Sequence, residues 1–292
     1  MNFSSKQEVL DHISKFESLY DYVRIVDPVK RTVIGDEADL PVHCFDFWDK
    51  GKTCENCTTH RALSSKTTHF KMEFKKGIVY LITSCPVKIN DETYVMEMLK
   101  DITDTGIIQT SGEADYEELE KTIEKLNKKV IMDELTDVFN RRYINERLPA
   151  DLYHAASGKT SLSLILLDLD KFKQLNDSYS HVAGDAILKE VGNILKYNVR
   201  KGTDWVARYG GDEFLICLPG ADEEAAAGIA EDIRQEIEHM EIRFGKDKLK
   251  TTASIGVYTM KAEMLSMEEI IRRTDMKMYQ AKSRGRNAVV TV

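Results

Sequence analysis

The hydrophobic and polar positions along the chain predict two parts with a helical segment between them. In residues 1–112, a helical pattern over residues 6–20 precedes short strand patterns at 22–26, 32–34, 67–74, 77–85 and 94–99. Short strands with few helices are typical of a small α+β domain. From residue 133, helix patterns at 139–155, 182–199, 221–240 and 266–283 alternate with strand patterns at 162–169, 204–218, 251–259 and 287–291. Such alternation predicts an α/β sandwich in which helices cover a sheet.

The segment between these parts, residues 113–132, carries an apolar seam at helical spacing. Apolar side chains recur three or four positions apart among Glu, Lys and Asn, at Tyr116, Leu119, Ile123, Leu126 and Val130. That spacing is the a/d pattern of a two-helix coiled coil. The alternative is an amphipathic helix that packs on its own domain. The position between two domains favours the parallel dimer seam.

Length, charge and composition limit the class of protein. A chain of 292 residues suits about two domains. Its formal net charge of -8 disfavours binding to nucleic acid through the whole surface. No apolar run approaches the roughly 20 residues that span a bilayer, and the first residues lack the basic and apolar regions of a signal peptide. We therefore expect a cytoplasmic protein that binds neither nucleic acid nor membrane.

The strand pattern at residues 204–218 carries the first candidate chemistry. Alternating apolar residues flank Gly210 and Gly211, which predicts a β-hairpin. Two adjacent acids, Asp212 and Glu213, follow the glycines. Adjacent carboxylates repel each other, so a cation, a basic partner or water must compensate their charge. A solvated turn is the alternative interpretation.

The most apolar strand pattern, residues 162–169, runs into a second pair of acids, Asp168 and Asp170. Residues two apart on a strand share a face. Charge at the end of a buried strand is costly unless something binds there, and Mg²⁺ commonly uses one or two carboxylates plus phosphate oxygens. The alternative is that Asp170 caps the following helix.

One turn and two pairs of polar side chains suit a nucleotide, although each also suits an ordinary helix end. The turn from residue 171 into a helix offers backbone N–H groups to phosphate. His181 and Asp185 lie four apart on one helix face, where a carboxylate could accept hydrogen bonds from guanine. Lys282 and Arg286 lie at the end of the last predicted helix, where cations are common. None of the three is diagnostic alone.

Together, residues 130 to 292 resemble the GGDEF domain of diguanylate cyclases. The signature of the family is intact in Arg208–Phe214. Its metal and guanine segment resembles Asp168–Asp177. The opening and closing segments of the family resemble Asp133–Thr136, Asn140–Arg142, Ser254–Val257 and Met278–Asn287. These are five motifs in the family's order, since Asp133–Thr136 and Asn140–Arg142 together form the opening one, and they make the resemblance specific.

The resemblance implies a nucleotidyl-cyclase-like fold and roles for matching residues. Mg²⁺ (or Mn²⁺) would be held by Asp168, the carbonyl of Leu169 and Asp212, and the catalytic acids would be Asp212 and Glu213. Guanine would be read by Asn176 and Asp185, with His181 beside them. The triphosphate would be held by Phe172, Lys173, Lys282 and Arg286. In a homodimer, two GTP molecules would then be joined into cyclic di-GMP with release of pyrophosphate.

Two other functions fit such a chain. A catalytically silent GGDEF domain could act as a receptor for GTP or cyclic di-GMP, and a related cyclase could make a mixed purine dinucleotide. The presence of Asp168, Asp212 and Glu213 favours an active enzyme. Asp185, the guanine-reading acid, favours GTP as its substrate.

The chain departs from the family pattern at three places. Ser180 replaces the usual glycine before His181, and Asp137–Val138 replaces the usual Gly-Leu; we expect both changes to be tolerated. The inhibitory product site of the family, Arg-x-x-Asp, here reads Lys201 to Asp204. Lysine lacks the planar fork of a guanidinium. We therefore expect weak product inhibition.

The first part of the chain resembles a PAS-type sensor, through its strand order and through Asp101–Thr103 ahead of the helical segment. Its distinctive residues are Cys44, Cys54, Cys57 and His60, with His43 or Cys85 as alternative ligands. This set could hold Zn²⁺ or an iron–sulfur cluster. Redox-active thiols and inert cysteines are the alternatives. Lys50 and Lys52 predict thiols that lose their protons easily, and we expect this site to control the cyclase through the helical segment.

Overall fold

The computed structural model describes residues 2–16, 18–34, 42–49, 51, 53–103, 105, 113–261 and 263–291. The chain divides into two compact units, Met1–Val130 and Ile131–Val292. The predicted helical segment therefore belongs almost entirely to the first unit. No helix in these ranges is long and apolar enough to cross a membrane.

The first unit is a twisted sheet with helices on it. The sheet has the order β1-β5-β6-β2-β3, and β4 pairs with β5. Its elements are β1 (Asn2–Phe3), α1 (Lys6–Ile13), β2 (Tyr22–Asp27), β3 (Thr32–Ile34), α2 (Thr58–Ser65), β4 (His69–Lys75), β5 (Ile78–Ile89), β6 (Glu92–Asp101) and α3 (Glu113–Ile131). Strands β4, β5 and β6 form an antiparallel meander whose first turn contains Gly77 at φ +84°, as its glycine predicts.

The first helix is shorter than its apolar spacing predicts. It ends at Ile13, whereas the pattern extends to residue 20. The hydroxyl of Ser14 donates a hydrogen bond to the Asp11 carbonyl, and the N–H of Leu19 bonds to Phe16, three residues back. Such local bonds compete with the helical ladder, so the chain turns after Ile13. Phe16 still packs against the core, whereas Leu19 is 61% exposed.

Helix α3 packs along the sheet of its own unit. Ile123, which is 3% exposed, forms a cluster with Val79 and Ile102, and Leu119 packs against it. Leu126 is 51% exposed. The structure thus shows the alternative arrangement for part of the predicted seam: an amphipathic helix on its own domain. Nothing is described for the side chain of Tyr116.

The second unit is a sheet covered by helices on both faces. Its five strands have the order β13-β12-β7-β9-β8, with β7 in the centre. Its elements are α4 (Arg141–Ser157), β7 (Ser161–Leu169), α5 (Phe172–Tyr179), α6 (His181–Tyr197), β8 (Trp205–Gly210), β9 (Glu213–Pro219), α7 (Glu223–His239), β10 (Ile242–Phe244), β11 (Asp247–Leu249), β12 (Ala253–Lys261), α8 (Met267–Ser283) and β13 (Ala288–Val290). The hairpin of β10 and β11 is not predicted by the pattern.

The apolar run of β7 explains its central position. Leu162 and the residues from Leu164 to Leu167 are at most 2% exposed, because β7 pairs on both edges and is covered on both faces. Helices α6 and α7 pack on the face that carries Ile165 and Leu167. Helices α4 and α8 contact each other and the sheet. The end of β7 is therefore held rigidly, which suits a binding site.

Candidate active site

The acids predicted on two strands lie directly opposite each other. Asp168 of β7 pairs with Glu213 of β9, and the Leu169 N–H bonds to the Asp212 carbonyl at 3.4 Å. Gly211 has φ +54°, so the turn between β8 and β9 uses the freedom of glycine. Like charges at opposite positions destabilise a sheet. The structure brings Asp168, Leu169, Asp212 and Glu213 together at one sheet end.

The electrostatics of these acids favour a bound cation. Burial raises the pKa of Asp168, and Asp212 raises it further, against the stabilising ion pair with Lys282 at 2.8 Å. Burial and then Asp168 likewise raise the pKa of Glu213. Within the described residues, no three His, Cys, Asp or Glu side chains form a group placed to hold a metal. Mg²⁺ needs only one or two carboxylates beside phosphate and water, so these acids with the Leu169 carbonyl fit it.

Arg208 holds the hairpin turn against the opening segment of the unit. Its Nε donates to the Gly211 carbonyl at 2.9 Å, and its Nη1 contacts Asp133 at 3.2 Å. Burial opposes the charge of Asp133, but hydrogen bonds from Thr136 and the nearby Arg208 outweigh it and lower the pKa of Asp133. This connection orients the turn that presents Asp212, and the sequence pattern alone does not reveal it.

The guanine-reading residues of the prediction lie around the junction of α5 and α6. His181 begins α6, and Asp185 follows one turn later; both are exposed. A Cβ on Gly184 would lie 1.9 Å from Oδ1 of Asn176, so only glycine allows this approach. Among the described residues, that buried Oδ1 has no hydrogen-bond partner. The Asn176 amide is therefore packed against the backbone of α6 at the junction of the two helices.

Ser180 joins α5 to α6 in a conformation that serine rarely adopts. Its φ of 128° and ψ of 163° lie in a region used almost only by glycine. Its N–H bonds to the Asn176 carbonyl, and its own carbonyl accepts from Ala183 and Gly184. Asp137, the other departure from the family pattern, has φ 54°, which Asp tolerates better. The backbone conformation at Ser180 is therefore less favourable for its residue type than the conformation at Asp137.

The predicted phosphate-binding residues lie at the starts and ends of helices. Phe172 is buried in the core and can offer only its backbone at the start of α5, whereas Lys173 is exposed. Lys282 lies near the end of α8 and pairs with Asp168, and Arg286 is exposed just beyond. Helix α8 lies close to β12 because Gly256 has no side chain: a Cβ at this position would lie 2.3 Å from the backbone of Met278.

Asp170 has neither of the two roles that the sequence suggests, metal binding beside Asp168 or capping of α5. It does not cap α5, because Lys171 occupies the N-cap position with φ 56°. Its carboxylate accepts hydrogen bonds from Ser254, Thr252 and the Asn287 backbone at 2.6, 2.6 and 3.0 Å. Strand β7 ends at Leu169, so the alternation that would place Asp170 beside Asp168 stops there.

The degenerate product site has an additional feature. Arg200, immediately before Lys201, donates to Asp204 from its backbone N–H at 2.9 Å and from its guanidinium at 2.6 Å. Its Nη2 also donates to the Pro219 carbonyl at 2.8 Å. Asp204 is thereby engaged within the chain. Weak product inhibition stays a prediction, and the engagement of Asp204 by Arg200 adds to it a second reason besides the lysine at position 201.

Three cysteines of the first unit, Cys44, Cys54 and Cys57, lie near one another. Burial raises the pKa of Cys44 and of Cys54, and in both cases the nearby Cys57 raises it further. The ring of His60 bonds through Nε2 to the Pro28 carbonyl at 2.7 Å. The expectation of easily ionised thiols is wrong for Cys44 and Cys54, because burial disfavours their thiolates. Lys50 and Lys52 lie outside the described residues.

The second unit is an α/β domain whose sheet carries paired acids at one end, flanked by a helix that carries cations. Residues 130–288, more than half of the chain, match the family described as "Diguanylate cyclase, GGDEF domain". The chain belongs to this family.

Several characterised proteins are similar to the second unit. "Diguanylate cyclase A" of Treponema denticola is 37% identical over 160 residues, which cover 54% of this chain and 43% of that protein. "Response regulator PleD" of Caulobacter vibrioides is 36% identical over 185 residues, covering 63% and 40%. "Diguanylate cyclase DosC" of Escherichia coli is 38% identical over 159 residues, covering 54% and 34%. The chain thus spans less than half the length of these relatives.

Solved structures support the same fold. The coiled coil and GGDEF domain of DgcB from Caulobacter crescentus, in complex with c-di-GMP, has a TM-score of 0.57 and 27% identity, over 61% of this chain and 94% of that chain. Diguanylate cyclase SiaD from Pseudomonas aeruginosa, in complex with its activator SiaC, has a TM-score of 0.54 and 30% identity, over 60% and 68%. Neither comparison covers the whole chain.

Proposed function

We propose that this protein is a diguanylate cyclase that condenses two GTP molecules to cyclic di-GMP and two pyrophosphates, with Mg²⁺ (or Mn²⁺), as a homodimer controlled by its first unit. The observation that carries the proposal is the pair of opposed acids, Asp168 and Glu213, on a rigid sheet end beside Lys282. Repulsion between two opposed carboxylates destabilises the folded protein, so their presence at this position favours a functional role such as cation binding or catalysis.

The residues of the site match the parts of this reaction. When bound, Mg²⁺ polarises the α-phosphate and lowers the pKa of the attacking 3′-hydroxyl. Asp168, the Leu169 carbonyl and Asp212 would hold it. The raised pKa of Glu213 suits a carboxylate that accepts the hydroxyl proton.

Other residues of the site would bind the two ends of the nucleotide. The carboxylate of Asp185 would accept hydrogen bonds from guanine, and the side-chain amide of Asn176 would contact the base, with His181 beside them. Lys282, Arg286 and Lys173 would neutralise the triphosphate, together with the backbone of Phe172 at the start of α5.

The test is product formation by the purified full chain at micromolar concentration. With GTP and Mg²⁺ we expect cyclic di-GMP and pyrophosphate, detected by chromatography and mass spectrometry. Asp212→Asn should abolish turnover because it weakens metal binding, while GTP binding partly survives. Asp247→Asn changes an exposed acid on the β10–β11 hairpin and is the matched control. Binding of GTP without product in the wild type, under several redox conditions, would favour the receptor function instead.

The homodimer is proposed because each product molecule joins two nucleotides bound in separate domains. Helix α3 supplies a seam for it, but Leu119 and Ile123 of that seam pack in their own unit. A side chain cannot fill both places at once. We infer that docking of α3 competes with dimerisation, which gives the first unit a means of control.

The cysteine segment is connected to the same helix. Asn56, between Cys54 and Cys57, donates from Nδ2 to the carbonyl and to Oδ1 of Asn127 on α3, both at 3.1 Å. Asn127 in turn donates to the Met72 carbonyl at 3.0 Å. A change at either cysteine would therefore alter the contacts that dock α3. The PAS-like character of the unit is part of this proposal and rests on its strand order.

Leu126 distinguishes the two uses of α3 because it is exposed in its own unit. Leu126→Glu should lower both the dimer fraction in sedimentation and the activity, while the first unit keeps its packing. Lys125→Glu places the same side chain outside the seam and should change neither. Full activity in a Leu126→Glu protein shown to be monomeric would contradict the dimer proposal.

The chemistry of the cysteines is tested by metal analysis of protein purified without air. Stoichiometric zinc or iron that is lost with Cys54→Ser would support a Zn²⁺ or iron–sulfur site completed by Cys44, Cys57 and His60. Its absence, with activity that depends on an oxidant, would support redox-active thiols. Unchanged activity in the Cys54→Ser and Cys57→Ser double variant would remove the cysteines from regulation.

A further inference from the structure

The turn that follows α8 is held in an unusual backbone conformation. Gly285, Arg286 and Asn287 have φ values of 109°, 69° and 45°. Left-handed conformations are uncommon for residues other than glycine and persist where surrounding contacts fix them. Arg286 is connected to the helix by its N–H, which bonds to the Ala281 carbonyl at 3.1 Å. Its side chain is exposed.

Asn287 is fixed by three separate hydrogen-bonding groups. Its N–H donates to Asp170, its Oδ1 accepts from Nη1 of Arg234 at 2.8 Å, and its Nδ2 donates to Glu238 at 2.7 Å. The last two residues belong to α7. Such a set is more than an ordinary helix end requires, because a C-terminal glycine alone can end a helix.

Asp170 is the other half of this arrangement. It is 9% exposed, and its carboxylate binds the hydroxyls of Thr252 and Ser254 as well as the Asn287 N–H. Its own N–H donates to the Thr252 carbonyl at 2.8 Å. Asp170 therefore ties the end of β7 to the start of β12 and to the turn that contains Arg286.

We propose that Asp170 and Asn287 are positioning residues that orient Arg286 toward the phosphates of the nucleotide. Asp168, two residues before Asp170, binds the Nζ of Lys282, which lies four residues before Arg286 in the chain. The end of β7 thus places both cations of the predicted phosphate site: one through its side chain, the other through the backbone of the turn. This inference rests on the proposed function, because it assigns an anionic polyphosphate to these cations.

The test compares full-chain variants in binding a non-hydrolysable GTP analogue and guanosine, by calorimetry in the presence of Mg²⁺. Asn287→Gly keeps the backbone N–H and tolerates positive φ but loses both side-chain hydrogen bonds. We expect this variant to bind the analogue about fivefold more weakly, which corresponds to a loss of about 1 kcal/mol of binding free energy. Guanosine binding should be unchanged. Thr252→Val, which removes one donor to Asp170, should act in the same direction by a smaller factor. Asn193→Ala, on an exposed face of α6, is the control.

A double-mutant cycle with Arg286→Ala decides whether Asn287 acts through Arg286. If it does, Asn287→Gly should cause no further loss once Arg286 is removed. Losses that multiply, or an equal loss of guanosine affinity, would show a general structural role and overturn the proposal. Since binding is measured separately from turnover, a wild type that binds the analogue but makes no product would refute the proposed activity and leave this test intact.

Discussion

Ser180 offers the sharpest test of the structure, because its backbone conformation is expensive for serine. Replacing it with glycine removes the side chain that makes φ 128° unfavourable. The side chain is exposed and forms no hydrogen bond among those found in the described residues, so little contact is lost. The backbone bonds that link Ser180 to Asn176, Ala183 and Gly184 do not depend on it.

The expected gain follows from two opposing contributions to the free energy of unfolding. A residue other than glycine in this region costs about 1–3 kcal/mol. Glycine loses more conformational freedom on folding, which costs about 0.5–1 kcal/mol. Ser180→Gly should therefore stabilise the second unit by about 1 kcal/mol, which raises the urea midpoint by about 0.5 M for a slope of about 2 kcal/mol/M.

Tryptophan fluorescence can report this unit alone. The chain has two tryptophans, Trp48 in the first unit and Trp205, which is 3% exposed, in the second. In a Trp48→Phe background, urea unfolding followed at Trp205 measures the stability of the second unit. Ser178→Gly, two residues earlier inside α5, should instead cost about 0.5 kcal/mol. If Ser180→Gly proves no more stable than its parent, the strained conformation is refuted.

Two further predictions concern the acids and the product site. Metal-free Glu213→Gln protein should be more stable than the wild type at pH 7. The pKa of Glu213 is raised in the folded state. The wild-type protein therefore loses stability as the pH rises from the pKa of glutamate in the unfolded chain, about 4.3, toward its higher pKa in the folded protein. Urea unfolding with EDTA should show this difference disappear below about pH 4; an equal difference at both pH values would contradict it. Lys201→Arg should lower the inhibition constant for cyclic di-GMP, and more so with Arg200→Ala, which frees Asp204. Inhibition unaffected by either change would place the product elsewhere.

The elements with strong periodicity could be predicted from the sequence. The apolar run of β7 identified the central strand, and the glycines at 210 and 211 identified the hairpin that presents the acids. The strain at Ser180 could not be predicted from its residue type, because it arises from the angle at which α6 follows α5. The packing of Ile123 was equally hidden, since a helix presents the same apolar spacing to a partner helix or to its own sheet.

Asp168 and Asp170 show where a periodic argument stops. They are the same residue type, two apart, yet one faces Glu213 and Lys282 while the other joins three segments of backbone. Alternation holds only while the strand continues, and β7 ends between them. Whether an acid binds a ligand or positions other segments therefore depends on where the hydrogen bonds between β7 and its neighbouring strands end.

The ion pair between Asp168 and Lys282 connects the two halves of the proposed reaction. Without a metal, Lys282 is the counter-ion of Asp168 at 2.8 Å, and each group reduces the charge that the other offers to a ligand. A divalent cation at Asp168 would take over that role and leave the ammonium of Lys282 for phosphate. Phosphate at Lys282 would equally leave Asp168 for the cation. By linkage, each ligand would strengthen binding of the other by the same factor, so we expect metal and nucleotide to bind this site together more tightly than either binds alone.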